Sequence, residues 1–95
     1  MKVRRRAKNI TLDRKIGMLI GATWRDEGEQ FEFALAQVSM ATMLHMRSEE
    51  KGTPLGASGQ PLYIAWDGED KILLHPATAN GGNLRITAYG ALMEL

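Results

Sequence analysis

One stretch constrains this chain more than any other: Phe31–Met46, FEFALAQVSMATMLHM, the longest apolar-rich run, with neither Gly nor Pro inside it. Phe31, Leu35, Val38 and Thr42 share one face of a helix, and Phe33, Ala36, Met40, Met43 and Leu44 form an adjacent row. The combined arc is wider than the stripe of an ordinary surface helix, so it needs cover on more than one side. The spacing therefore predicts a central helix. Gly52, following the charged run Arg47–Lys51, would serve as its C-cap. A competing reading exists, because Phe31, Phe33 and Leu35 also alternate. On that reading FEFAL is a strand paired with Gly17–Trp24, and the length of the apolar pattern is what favours the helix.

A first helix is expected over Thr11–Trp24. Thr11 suits an N-cap, Asp13 favours the helix dipole, and Leu12, Ile16, Leu19, Ile20 and Trp24 recur with helical period. Gly17 and Gly21 weaken this helix but leave a smooth groove for a packing neighbour. The polar run Arg25–Gln30 would turn the chain into the second helix. Gly52–Pro61, GTPLGASGQP, reads as a linker, since no phosphate-loop lysine follows its glycines.

Beyond the linker the pattern changes to period two. Leu62–Trp66 and Lys71–His75 flank Asp-Gly, the strongest short hairpin signal, and a four-residue loop at Asp67–Asp70 would set Ile64 opposite Leu73. Both faces of this hairpin are apolar, which predicts a sheet covered on both sides. His75-Pro76 ends the second strand. Asn83–Tyr89 supplies a third strand broken by Gly90, and the apolar ALMEL closes the chain. The expected fold is α+β: two N-terminal helices followed by a small three-stranded antiparallel sheet. Residues 1–95 read as a single domain made of a basic arm (1–9), a helical half (10–51), a Gly/Pro loop (52–61) and a β half (62–95).

Composition narrows the function classes. The apolar and charged fractions, 44% and 24%, are those of a globular chain, and no window is apolar enough to span a membrane. Without an export signal, a cytoplasmic location is the default. With no cysteine, disulfide scaffolds, thiolate-bound zinc and thiol catalysis drop out. His45 and His75 lack metal-ligand spacing, and Ser58 lacks a nucleophile-elbow setting. The carboxylates Asp67, Glu69 and Asp70 crowd a solvated turn, where a raised pKa is not expected. The sequence points to no enzyme, no cofactor and no metal.

Net charge is +1, yet residues 1–15 carry seven basic residues against one acidic, and residues 16–95 five against ten. The result is a basic head on an acidic body. Lys2, Arg4, Arg5, Arg6 and Lys8 could lie along phosphates, although the arm has no aromatic residue for base stacking. Pairing with protein, within the chain or between chains, is the simpler use of such an arm. Met40, Met43 and Met46 read either as core filler or as an adaptable binding face, and Tyr63, Trp66 and Tyr89 as core or as interface anchors. The surplus of apolar surface predicts a homo-oligomer or an obligate protein partner. The functional expectation is a small non-catalytic interaction subunit, an assembly or inhibitor protein of bacterial or phage type. The alternative is a small nucleic-acid-binding protein that uses the basic arm.

Overall fold

In a computed structural model of the chain, residues 1–13, 15–49 and 60–91 are described. The architecture is mostly β and corrects the two-helix, three-stranded expectation. Strand β1 spans Lys2–Val3, β2 Asn9–Thr11, β3 Ile16–Asp26, β4 Phe33–Ala34 and β5 Ala36–Gln37. The single helix among the described residues, α1, follows at Met40–Glu49, and then come β6 (Tyr63–Trp66), β7 (Lys71–His75) and β8 (Gly82–Ala91). These strands form two four-stranded sheets, ordered β1-β8-β3-β4 and β2-β7-β6-β5. The expected Gly52 cap, most of the Gly52–Pro61 linker and most of the closing ALMEL lie outside the described residues.

The two sheets pack face to face. Val3, Ala22, Trp24 and Leu84 of the first meet Ile64, Ile72 and Leu74 of the second in one buried cluster. Trp24 is wholly buried, and its indole N–H donates to the Asp26 carboxylate at 2.7 Å. The second sheet is covered on its other face as well, where Ala65 and Leu73 pack against Met43 of α1. The two-sided apolar pattern of the hairpin is thus accounted for by a sheet on one side and a helix on the other.

The expected first helix is instead strand β3. Its register with β8 shifts between Leu19 and Gly21, leaving Ile20 as an extra, bulged residue. The bulge spaces the buried Leu19 and Ala22 three apart rather than two, and Ile16 is buried three residues earlier. An interval of three is what made the segment look helical. Gly17 and Ile20 fit a strand comfortably, because the glycine lets β8 come close: a Cβ there would lie 2.8 Å from the Tyr89 carbonyl oxygen.

The expected central helix is divided. Its first part takes the competing strand reading, with Phe33–Ala34 paired antiparallel to Thr23–Trp24. Helix begins only after Ser39, whose hydroxyl accepts from the Thr42 N–H at 3.1 Å while its carbonyl accepts from the Met43 N–H at 2.9 Å. The hairpin register also differs by one residue: Ile64 faces Leu74, and Ala65 faces Leu73. The Asp67 N–H donates to the Lys71 carbonyl at 3.1 Å, which closes a three-residue turn over Gly68–Asp70, and the Asp67 carboxylate accepts from the N–H groups of Glu69 (2.8 Å) and Lys71 (3.1 Å) within it. Finally, β8 does not join this hairpin. After His75 the chain crosses to the other sheet, where β8 becomes the neighbour of β3.

Candidate interaction surfaces

The basic arm is part of the fold. Lys2 and Val3 pair with Asn83 and Gly82 of β8, and Asn9–Thr11 pair with β7 in the opposite sheet. Residues 4–8 therefore form an arch from one sheet to the other. The buried side chain of Thr78 pins it from beneath: the Ala7 N–H donates to Oγ1 at 2.9 Å, and the hydroxyl donates to the Arg4 carbonyl at 2.8 Å. The backbones add bonds from Arg6 N–H to the Thr78 carbonyl and from Thr78 N–H to the Ala7 carbonyl. Arg6 sits at φ 61°, a conformation more usual for Gly or Asn. Val3 and Ala7 point inward and are buried, whereas Lys2, Arg4, Arg5, Arg6 and Lys8 are exposed.

Arg47 of α1 ties the far end of the arm down. Its guanidinium donates to the carbonyls of Lys8 (2.6 Å) and Leu74 (3.1 Å) and to the Asn9 side chain (2.9 Å). Partial burial pushes its pKa down from the usual arginine value. Sequence reasoning gave Arg47 no role beyond flanking a helix.

The expected partner-binding residues divide between interior and surface. Met43 is fully buried, and Met40, Met46 and Tyr63 are half-buried in the same cluster between helix and sheet. Trp66 is half-buried beside the main core, with its indole N–H donating to the Glu69 carbonyl at 3.0 Å. Tyr89 alone stands out, 72% exposed, directly across the ladder from Met18, which is 57% exposed.

That pair marks a projecting ribbon. Strands β3 and β8 run side by side from Asp26/Gly82 to Ile16/Ala91, but β1 and β4 flank them only near the first end. Leu84 exchanges both backbone groups with Met1, the Met1 ammonium donating at 2.9 Å and the Leu84 N–H donating back at 2.8 Å. Alternation along an antiparallel strand then turns the N–H and C=O groups of Ile86 and Ala88 to the same edge. No strand among the described residues lies beside them there. Ile20, at the bulge, is also exposed.

A shallow cleft of about 710 Å³ on the first sheet is lined by Met1, Arg25, Gln30, Glu32, Asn83 and Arg85 among others, and Arg85 pairs with Glu32 at 3.4 Å. Among the described residues, no group of three or more His, Asp or Glu side chains is arranged to hold a metal ion. His45 and His75 lie on different elements and each engages a neighbour. No helix among the described residues is long and apolar enough to cross a membrane. No protein-family model matches the chain, and neither the characterised proteins nor the solved structures compared with it give a match.

Proposed function

We propose that this protein is a non-catalytic interaction subunit that associates with a second copy of itself through the open edge of β8. The observation that carries the reading is the projecting ribbon, whose β8 edge has no strand partner among the described residues and lies beside the exposed Tyr89 and Met18. Open strand edges template further strands unless they are blunted. The β3 edge is blunted by the bulge at Ile20 and by Lys15 just before the strand. The β8 edge is not, since Ile86–Tyr89 carries no charge and no proline, and the bulged residue lies in β3; Gly90, at φ 57°, ends the regular extended run.

A two-fold pairing is the closed solution for identical edges. Centred on Ala88, it brings Thr87 of one copy beside Tyr89 of the other and stops short of Met1, which occupies the edge at Leu84. Backbone bonds would supply the register, and the tyrosine and methionine side chains an apolar contact.

The test is Ala88→Pro. Proline removes the outward N–H of residue 88 while leaving the bonds to β3, made by its odd-numbered neighbours, in place. Light scattering should give a dimer mass for the parent chain and a monomer mass for the variant, with matching far-UV spectra. A parent chain that stays monomeric at high micromolar concentration, or a variant that remains dimeric, overturns the reading.

A further inference from the structure

We infer that the arch over residues 2–8 is a preformed, sequence-independent binding surface for the phosphate backbone of duplex nucleic acid, separate from the dimer edge. Three features of the arch converge. Its exposed side chains are Lys2, Arg4, Arg5, Arg6 and Lys8, and its two apolar residues, Val3 and Ala7, are turned into the core. Among the described residues none of these five cations has an ion-pair partner. The backbone is already fixed by β1, β2 and Thr78, so binding has only side chains to order, whereas a loose basic tail would have to order its backbone as well.

The chemistry selects the partner. A protein interface is built round an apolar or aromatic centre, and the arch presents none. Base recognition in single strands needs stacking platforms, and the arch has no aromatic residue. A dense array of phosphates requires only fixed cations. Beside the arch runs a cleft of about 490 Å³ lined by Lys2, Val3, Arg4, Arg5, Glu27 and Gly81, with Glu27 its one carboxylate. Glu27 repels anions on its flank of the cleft, which leaves the side chains of Arg4, Arg5 and Arg6 as the phosphate-facing side. The surface should therefore hold a backbone without reading its sequence.

The experiment is fluorescence anisotropy of a labelled random-sequence 20-bp duplex titrated with the full chain between 50 and 200 mM salt. Five phosphate contacts give a log–log salt slope of about −4.5, or a loss of roughly 500-fold in affinity over that range. The variant Arg4→Ala/Arg5→Ala/Arg6→Gly removes three contacts and should bring the slope to about −2; Gly at position 6 accepts the positive φ. Repeating both titrations in the Ala88→Pro background keeps a dimer from doubling the contact number, so the arch and the β8 edge are tested separately. No binding at 50 mM salt, or an unchanged slope in a triple variant of parental stability, overturns the inference. Tighter binding to phosphatidylserine vesicles than to the duplex would overturn it too, by assigning the arch to a lipid surface.

Discussion

Replacing Thr78 by Val would test how the arm is held with a change of nearly constant shape. The hydroxyl makes two bonds, accepting from the buried Ala7 N–H at 2.9 Å and donating to the Arg4 carbonyl at 2.8 Å, and Thr78 itself is wholly buried. Valine fills the space but leaves the Ala7 donor without a partner, away from water. The orphaned N–H costs about 1–3 kcal/mol, and the Arg4 carbonyl, which belongs to an exposed residue and can be rehydrated, adds about 0.5 kcal/mol more. A destabilisation of about 1.5–3.5 kcal/mol follows, equivalent in a domain of this size to a fall of roughly 6–28 °C in Tm. Urea unfolding followed by tryptophan fluorescence would measure it, because Trp24 reports directly on the core. Thr78→Ser provides the comparison, since it keeps both bonds and loses only a methyl group, at about 1 kcal/mol. If the valine variant is as stable as the serine variant, or more so, the hydroxyl does not hold the arm and the account of the arch is wrong.

Two further predictions rest on local geometry. A Cβ added at Gly82 would lie 2.6 Å from the Trp24 indole and closer still to the Arg25 carbonyl, so Gly82→Ala should cost about 2–3 kcal/mol; Gly21→Ala, where nothing lies within 4 Å, should be near neutral in the same chemical-denaturation assay. The hydrogen bond from the Glu69 N–H, with that from Lys71 and the charge of Lys71, holds the Asp67 carboxyl below its usual pKa of 3.8. A carboxyl lowered by folding stabilises above its unfolded pKa, and that stabilisation is lost as pH falls through the folded value. Asp67→Asn should therefore flatten the acid limb of a stability–pH curve below pH 4, and an unchanged limb would mean that the carboxylate does not organise the hairpin loop.

The legible parts of the fold were those in which one local signal had no competitor. Asp67-Gly68 between Leu62–Trp66 and Lys71–His75 announced a hairpin, and its apolar faces announced cover on both sides, which the first sheet and α1 supply. The hairpin register was missed by one residue because Asp67 turns its own side chain into the loop, a choice that alternation does not report. Residues 16–24 misled for a sharper reason. A bulge at Ile20 sets the buried Leu19 and Ala22 three apart, adding to the same interval between Ile16 and Leu19, and periodicity alone cannot separate that from a helix turn. Phe31–Met46 misled by length, since its continuous apolarity covers two short strands and the start of a helix that Ser39 caps.

The surfaces were only partly legible. Exposure of the five arm cations follows from their chemistry, but their fixed backbone depends on Thr78, more than seventy residues away in the chain. Tyr89 could be named from sequence as an anchor type, whereas the open edge beside it could not. That edge arises because β8 leaves the hairpin for the opposite sheet, a choice of topology with no signature within the strand itself.

The most direct measurement of the central claim is amide hydrogen exchange at Ile86 and Ala88 as a function of protein concentration. No strand among the described residues covers their N–H groups, so exchange should be fast when dilute and slow progressively with concentration, while Leu84, already bonded to Met1, stays protected throughout. Concentration-independent exchange at Ile86 and Ala88 would mean that no second strand occupies the edge, and would contradict the account.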